Sequence, residues 1–339
     1  MARPWTPDAV MDLLRGFHAA CVIAAAAELD VFTRLHAAPA GAAELARGLA
    51  CDVRATTILL DALAALQLLD KRDGVYAVPA DVAAVLAEGG SQCLLGMARH
   101  LGNCLRRWAR LGEVVQTGAP VLDEVSVRGK QEDLASFIRA MHEVSAPLAP
   151  RLIESLGPPA FRHVLDLGGA SGTWTIPFLR ARPDARATIF DLPEVIPMAK
   201  RAMQAAGMAH RVRLVAGNYE TDELPSGCDL AWVSAIVHQN SRAQNRAMFA
   251  RACRALEPGG RILIRDILVD GSRTAPVMGA LFAVNMLVGT PGGGTYTFDE
   301  LREDLEAAGF TDARLVRRGE AMDSVIAATK PGDPGVAGQ

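Results

Sequence analysis

Hydrophobic and polar positions follow two different periods along this chain. In the first part, apolar residues recur every three or four positions, which is the spacing of amphipathic helices. The helices predicted there cover residues 8–35 (with a break near Leu29 and Asp30), 42–49, 55–66, 91–118 and 134–156. Apolar runs on either side of Asp73-Gly74 predict a two-stranded hairpin over 68–78. Three helices followed by a hairpin predict a winged helix.

From residue 164 onward, short apolar runs alternate with helical segments, which is typical of a parallel sheet covered by helices. The predicted strands are 164–167, 187–190, 212–216, 229–233 and 261–265, and the predicted helices are 174–181, 194–206, 242–256 and 298–308. The last apolar runs, 313–316 and 324–328, could pair antiparallel at the end of this sheet. We therefore expect an N-terminal domain over 1–110 and an α/β domain over 111–335, in which 111–157 forms linker and substrate-wall helices.

A glycine-rich turn follows the first predicted strand of the α/β domain. Asp166 interrupts that strand, and Gly168, Gly169 and Gly172 then turn the chain sharply towards the next helix. A strand–glycine turn–helix unit brings backbone close to a nucleotide-like ligand at the carboxyl end of a sheet. Glycine also meets purely steric needs in a tight turn, so this unit alone leaves both explanations open.

The next predicted strand ends at Asp191, about 20 residues beyond the glycines. An acid there can take both hydroxyls of a ribose, as in enzymes that bind NAD and in enzymes that bind S-adenosylmethionine (SAM). The turn reads Gly-Gly-Ala-Ser-Gly, so the Gly-x-Gly-x-x-Gly fingerprint of pyrophosphate binding is absent. Asp166 is also placed to receive the ammonium group of a methionine tail. Both features favour SAM over NAD.

His238 is the candidate catalytic residue. It follows the apolar run 230–237 and precedes the polar residues Gln239 and Asn240, which places it at the carboxyl end of the fourth strand. Imidazole can take a proton from a phenol or enol at neutral pH, and methyl transfer from a sulfonium needs little besides an in-line approach and the exclusion of water. A histidine that only caps the following helix would occupy the same position. The weaker candidates are His142, His163 and His210.

Composition and charge restrict the remaining possibilities. The net charge is −3 and helix 55–66 has only Arg54 as a nearby cation, so we expect neither nucleic acid nor an anionic membrane as partner. That helix is better suited to dimerisation. Six scattered cysteines without a Cys-x-x-Cys pair predict free thiols in the cytoplasm and no metal site. We expect no signal peptide and no membrane span, since the stretch 19–27 is short and weakly apolar.

Taken together, the motifs resemble the SAM-dependent O-methyltransferases of the caffeate and acetylserotonin (hydroxyindole) type, a group that includes many bacterial enzymes of secondary metabolism. The motifs are the winged helix, the glycine turn, Phe190-Asp191-Leu192-Pro193, Gly217-Asn218-Tyr219, Leu224-Pro225, His238, Leu256 to Gly260, Met286-Leu287 and Gly292-Gly293. The resemblance covers most of the chain. It implies a Rossmann-like class I SAM methyltransferase sheet with an N-terminal all-α, winged-helix dimerisation domain, and a homodimer whose N-terminal helices interlock.

Position in the chain and the resemblance together assign roles to individual residues. His238 is the expected general base, and SAM, with S-adenosylhomocysteine (SAH) as its product, is the expected cofactor. The expected cofactor-binding residues are Ser145, Asp166, Gly168, Gly169, Gly172, Asp191, Leu192, Asn218, Tyr219 and Ser234. The residues expected around a small-molecule acceptor are Met141, His142, Gln239, Asn240, Phe282, Met286 and Thr290.

Several departures from the family's pattern bear on the chemistry. Ala170 stands where a third glycine is usual, and Asn218 stands where Asp is usual. The catalytic His is normally followed by Asp-Trp, and the Glu that normally orients it aligns with Thr295. We therefore expect both acidic neighbours of His238 to be missing, which would make it a weaker base.

The sequence thus predicts a cytoplasmic, homodimeric, SAM-dependent methyltransferase that acts on a hydroxyl of a small, aromatic metabolite. The expected loss of the acids leaves open C- or N-methylation, or another use of SAM on the same fold. Two alternatives come from other classes of protein. One is a non-enzymatic metabolite sensor that uses the winged helix, and the other is an NAD-linked oxidoreductase.

Overall fold

The structure, a computed structural model, describes residues 4–122, 124–157 and 160–332. The chain divides into two compact units. One comprises the residues up to Ala109 together with a segment that ends at Val144, and the other comprises Arg110–Leu122 and the residues from Ser145 onward. The segment predicted to form linker and substrate-wall helices, 111–157, is therefore divided between the two units.

The first unit is mainly helical. Its helices are α1 (Pro7–Arg15), α2 (Phe17–Glu28), α3 (Val31–Ala37), α4 (Ala42–Leu49), α5 (Val53–Ala65), α6 (Ala80–Leu86) and α7 (Leu95–Trp108), and α8 (Leu111–Thr117) and α9 (Lys130–Ser145) follow. Helix α8 belongs to the second unit. The strands β1 (Ala40–Gly41), β2 (Asp70–Arg72) and β3 (Val75–Ala77) form an antiparallel sheet in the order β1-β3-β2. The predicted series of helices followed by a hairpin is confirmed, and α6 is an addition that the pattern did not show.

The core of the first unit explains why this series folds. Helix α5 begins where the Asp52 carboxylate accepts a hydrogen bond from the Ala55 N–H at 2.7 Å. Its residues Leu60 and Leu63 are fully buried and pack in one cluster with Phe32 on α3. Burying each such side chain contributes roughly 1.5–3 kcal/mol, so α5 is held mainly by its inner face.

Helices α1 and α2 form a nearly continuous segment that buries little of its surface. Leu13, Leu14 and Phe17 are 70%, 61% and 55% exposed, and no residue of α1 is buried. By length and composition alone, Pro7–Glu28 could cross a membrane, with a mean hydropathy of 1.5 and 11% of the window buried. Our expectation that no segment crosses a membrane considered residues 19–27 only and did not consider the whole of Pro7–Glu28. The observation is weak evidence for a membrane, because helices of other kinds pass the same test.

Two long predicted helices are each divided in the structure. The stretch 91–118 contains α7 and α8, and the stretch 134–156 contains the C-terminal part of α9 and a separate helix, α10 (Ala149–Ser155). Pro147 lies between α9 and α10, and proline lacks the N–H that a continuing helix would need. The single helix over 134–156 was therefore wrong.

The second unit contains a seven-stranded sheet in the order β6-β5-β4-β7-β8-β10-β9. Its strands are β4 (His163–Leu167), β5 (Arg186–Asp191), β6 (Val212–Ala216), β7 (Cys228–Ser234), β8 (Leu256–Asp266), β9 (Thr311–Arg317) and β10 (Ser324–Thr329). The helices after α10 are α11 (Thr175–Ala181), α12 (Ile196–Ala205), α13 (Arg242–Ala255), α14 (Val277–Gly289) and α15 (Phe298–Ala307). Strands β4 to β8 are parallel, and β10 pairs antiparallel with both β8 and β9, as predicted. The predicted turn at 258–260 lies within β8, at an irregularity where the register with β7 shifts and Gly259 has a φ of 74°.

Helices cover both faces of this sheet, and the side chains of β8 alternate between them. Ile262 and Ile264 pack in one cluster with residues of α13 and α15, whereas Leu263 packs in another with residues of α10, α11 and α12. By the same alternation, Asp266 lies on the face of Ile262 and Ile264, and Arg265 lies on the face of Leu263. Because β4, β5, β7 and β8 are parallel, their carboxyl ends meet at one edge, where a ligand is expected.

Candidate active site

The glycine turn after β4 has a shape that only small residues allow. The Gly168 N–H donates to the Phe190 carbonyl at 2.8 Å, and Gly168 and Gly172 have φ of 64° and 71°. A Cβ on Gly172 would lie 2.3 Å from Met203 Cε, and one on Gly169 would lie 2.8 Å from Asp166 Cγ. Ala170 also has a left-handed φ of 46°, where glycine is favoured. The turn is therefore a tight cradle of backbone.

Asp191, the last residue of β5, stands beside this cradle with its carboxylate fixed. One carboxylate oxygen accepts the Ala170 N–H at 2.7 Å, and the other accepts the Leu192 N–H at 2.7 Å. Each oxygen keeps a further lone pair, so a pair of neighbouring hydroxyls could still donate to it. Burial raises the pKa of Asp191. The side chain is thus held in place before any ligand arrives, as a ribose site requires.

Asp166 lies beneath the turn and is only 1% exposed. The Thr175 hydroxyl donates to its carboxylate at 2.5 Å. Burial raises the pKa of Asp166 to about 7, so a neighbouring positive charge would favour its ionised form. The acid is thus buried on the side of the sheet that α11 covers.

Three other predicted cofactor residues, Leu192, Asn218 and Tyr219, lie at the same edge, directly after β5 and β6. After β6, Asn218 accepts the Glu220 N–H on its side-chain oxygen at 2.9 Å, while its own N–H donates to Asp222 at 2.8 Å. Burial raises the pKa of the neighbouring Tyr219 to about 12, so its hydroxyl stays protonated. Leu192 is 39% exposed beside Asp191. Ser145 is buried at the end of α9, and its predicted contact with the cofactor stays a prediction.

His238 lies in a short 3-10 turn, Val237–Gln239, directly after β7. Its Nδ1 is 2.8 Å and 3.0 Å from the two carboxylate oxygens of Asp266, the last residue of β8. The side chains of the pair are 7% and 1% exposed. The Phe282 ring contacts the imidazole edge to face, with 4.8 Å between ring centroids. With Nδ1–H donating to Asp266, the imidazole presents Nε2 as a proton acceptor.

The two positions where the family's acids were expected, the one after His238 and Thr295, are not acidic, but our conclusion that His238 lacks an acidic partner was wrong. The reasoning searched the positions after the histidine and Thr295, and it overlooked the next strand. Asp266 follows the apolar run 262–264, so it ends a strand that pairs with β7. The rule that placed His238 at the ligand edge would also have placed Asp266 there.

Gln239 and Asn240 support the turn that carries His238. The exposed Gln239 amide donates to the Ala235 carbonyl at 3.1 Å. The buried Asn240 amide donates to the side chain of Asn245 at 3.1 Å, and its backbone carbonyl accepts the Tyr296 hydroxyl. The Gly294 N–H donates to the His238 carbonyl at 2.9 Å. Their predicted contact with an acceptor stays a prediction.

The remaining acceptor residues lie on three elements. Phe282 and the buried Met286 are on α14. The Thr290 hydroxyl, just after α14, donates to the Met286 carbonyl at 2.7 Å and accepts the Gly293 N–H at 2.9 Å. Met141 and His142 are on α9, in the part of that helix that belongs to the first unit. In the part of the chain that the structure describes, no group of three or more His, Cys, Asp or Glu could hold a metal ion.

Comparison with protein families gives two matches. Residues 116–311 match the O-methyltransferase domain, and residues 11–89 match the O-methyltransferase dimerisation domain. The chain belongs to the O-methyltransferase family. The predictions of this family, of its SAM-binding α/β fold with an N-terminal dimerisation domain, and of a SAM-dependent methyltransferase are confirmed.

Individual relatives of this methyltransferase are similar over nearly their whole length. The 3-hydroxy-5-methyl-1-naphthoate 3-O-methyltransferase of Streptomyces sahachiroi is 34% identical, over 96% of this chain and 95% of the relative. The tetracenomycin polyketide synthesis 8-O-methyl transferase TcmO of Streptomyces glaucescens is 32% identical, over 91% and 92%. The solved structure of PigF with SAH has a TM-score of 0.85 at 26% identity and covers 96% of this chain and all of that one.

Proposed function

We propose that this methyltransferase transfers the methyl group of SAM to a phenolic hydroxyl of a small aromatic natural product. The observation that carries this proposal is the buried His238–Asp266 pair. The Nε2 of His238 accepts the proton of the acceptor hydroxyl, and the Asp266 carboxylate stabilises the imidazolium that results. Because a buried carboxylate supports the base, the argument for C- or N-methylation from missing acids no longer applies.

The cofactor residues fit SAM at the carboxyl edge of the sheet. Asp191 takes the ribose hydroxyls, and Asn218 and Tyr219 border the adenine beyond β6. The backbone at Gly168, Gly169 and Gly172 leaves room for the rest of the molecule. Ser145, Asp166, Leu192 and Ser234 complete the predicted set. When bound, SAM supplies a methyl group on a positively charged sulfur, which an oxygen nucleophile can take directly.

The acceptor proposed for this site is a hydroxylated fused-ring acid or polyketide. Phe282 stands against the imidazole, and Met286 lies about one helical turn further along α14. An aromatic ring and a polarisable thioether suit a flat aromatic ligand. The relatives named for a hydroxynaphthoate and for tetracenomycin synthesis support this class. Met141, His142, Gln239, Asn240 and Thr290 are proposed to shape the rest of the pocket.

We also propose that the enzyme is a cytoplasmic homodimer that associates through α1 and α2. The dimerisation-domain match covers much of this segment, and its exposed Leu13, Leu14 and Phe17 would be buried by a second copy. All six cysteines are free, which suits a reducing compartment. The charge pattern supports neither nucleic acid nor membrane as a partner.

Calorimetry with SAH and with NAD, followed by methyl transfer from labelled SAM to a panel of hydroxynaphthoates, tests this function. We expect SAH to bind and NAD not to bind, and we expect the label to appear on a phenolic oxygen. Tighter binding of NAD than of SAH would refute SAM as the cofactor. Transfer to carbon or nitrogen alone would refute the role of the His238–Asp266 pair. A mobility shift with duplex DNA at low salt would instead support the sensor alternative.

A further inference from the structure

Arg265 is a buried cation in an unusual setting beside the cofactor edge. It is 4% exposed, and in the described parts of the chain no carboxylate lies within ion-pair distance of it. Its Nε donates to Ser234 Oγ at 2.7 Å and its Nη1 donates to the Met322 carbonyl at 2.5 Å, while the guanidinium stacks on Trp174 at 4.6 Å from the ring centroid. Burial lowers the pKa of Arg265 to about 10, so it remains charged at neutral pH. Asp266 and Asp323 act on this charge from beyond ion-pair distance, and a buried charge without a directly paired counter-ion is further stabilised by an anion nearby.

The hydrogen bond to Ser234 sets the direction in which that serine can donate. A guanidinium has only donors, so Ser234 Oγ must accept from Arg265. The hydroxyl hydrogen of Ser234 is then available to a different partner. Ser234 ends β7 and is only partly buried, so it can present that hydrogen at the ligand edge. The buried positive charge behind it strengthens the donor.

The position of Ser234 fits the amino-acid end of SAM. Leu167 pairs with Val233, so Ser234 lies next to Gly168 of the glycine turn. Asp191 ends β5, on the other side of β4, and two interstrand spacings amount to about 10 Å. With the ribose at Asp191 and the adenine towards β6, the methionine tail extends across β4 towards β7.

The buried charges on this face of the sheet match a zwitterion. Asp166 on β4 and Arg265 on β8 lie on the same face, with β7 between them. The two side chains do not pair with each other in the described structure. An ammonium group near Asp166 and a carboxylate near Ser234 would therefore each meet a charge of the opposite sign.

We propose that Arg265 is a positioning residue for the cofactor, which orients Ser234 to donate to the carboxylate of the methionine tail and supplies the countercharge. This inference rests on the proposed use of SAM. It adds a positive charge to the groups that recognise the cofactor, which neither the glycine turn nor Asp191 provides. Arg265 also contacts the carbonyl of Met322, so a purely structural role in holding the segment 319–323 must be separated from it.

The test compares SAH with its decarboxylated form, S-adenosyl-3-thiopropylamine, by titration calorimetry. We expect the intact enzyme to prefer SAH by about tenfold or more, the size of one charge-assisted hydrogen bond. In Arg265→Met and in Ser234→Ala, this preference should fall to about twofold or less, because SAH binding weakens and binding of the decarboxylated form does not. The Ser234→Ala variant tests the idea even if the arginine variant does not fold.

Arg317→Met is the matched control. Arg317 holds the same segment through two bonds to Asp323, at 3.2 Å and 2.9 Å, but it does not contact Ser234. This variant should keep the preference for SAH. The proposal is overturned if Arg265→Met keeps the preference, or if Arg317→Met loses it equally. If the intact enzyme binds neither ligand, the proposed use of SAM fails, and this inference fails with it.

Discussion

Asp266→Asn tests the role of the carboxylate behind His238. One oxygen of Asp266 already accepts both His238 Nδ1–H and the Ile267 N–H at 2.8 Å. An asparagine oxygen in the same place can keep both bonds, but its NH2 group would replace the oxygen that lies 3.0 Å from Nδ1. The variant therefore removes the negative charge and also favours the tautomer with the proton on Nε2, which cannot accept a proton from the acceptor hydroxyl. Since the side chains of the pair are 7% and 1% exposed, solvent does little to replace that charge.

The expected loss is at least about 3 kcal/mol of transition-state stabilisation. A hydrogen bond to a charged group contributes about 1.5–3 kcal/mol, and the lost carboxylate also ceases to stabilise the imidazolium in a site of low dielectric. About 3 kcal/mol corresponds to a rate loss of about 100-fold. SAH affinity should stay within about twofold, because Asp266 lies behind the base and makes no contact with the glycine turn.

Single-turnover transfer from labelled SAM to a hydroxynaphthoate measures this loss. His238→Ala should lose at least as much, and the double variant should be no slower than His238→Ala alone, because the two residues act as one unit. Asp229→Asn is the control, since Asp229 accepts the Arg162 and His163 N–H groups at the other end of β7. A loss below fivefold in Asp266→Asn, or additive losses in the double variant, would refute the role of the pair.

Three further predictions concern stability and assembly. In the folded state, burial raises the pKa of Asp166 from 3.8 to about 7, so its contribution to stability falls as pH rises across that range. Asp166→Asn should therefore match the wild type in urea unfolding near pH 4 and exceed it at pH 8, by at most about 4 kcal/mol; a less stable variant at pH 8 would contradict this. Ala170→Gly, at a φ of 46°, should leave stability unchanged or raise it by up to about 1 kcal/mol. Gly172→Ala should lower it by at least about 1 kcal/mol in thermal unfolding, because residue 172 has a φ of 71° and its Cβ would also displace the end of the buried Met203 side chain. Equal effects of the two changes would contradict this account of the turn. Leu13→Arg with Leu14→Arg should convert the dimer to a monomer in sedimentation, while the exposed Val316→Arg should not, and a dimer in both would exclude the interface at α1.

The sequence pattern predicted the sheet well because each strand is marked locally. The runs that end at Leu167, Asp191 and Ser234 are apolar and are bounded by turns, so their positions along the chain could be predicted without any contact. The break between α9 and α10 was missed although Pro147 marks it. At the turn predicted over 258–260 the chain does depart from regular pairing, because the register with β7 jumps from Cys228–Leu256 to Leu230–Arg261 and Gly259 has a φ of 74°. The pattern did not show that β8 as a whole extends from Leu256 across this irregularity.

The site was predicted in part for the same reason. His238 and Asp191 follow their strands directly, so the carboxyl-edge rule located them. The His238–Asp266 bond joins positions 28 residues apart, and Arg265 reaches Ser234 across 31 residues. Such pairs depend on which strands are neighbours and on which face each side chain lies, and no alignment of motifs contains that information.

The alternation at the end of β8 has a consequence for how this enzyme can change. The carboxylate of Asp266 lies on one face of the sheet and the guanidinium of the adjacent Arg265 lies on the other. Strands β7 and β10 fix that arrangement by pairing with β8 on its two edges. Inserting or deleting a single residue in β8 would exchange the two sides, so that a guanidinium would confront the imidazole and a carboxylate would confront Trp174. Such a frame shift would abolish proton acceptance without removing any functional group, whereas loss or gain of two residues would preserve the order of charges.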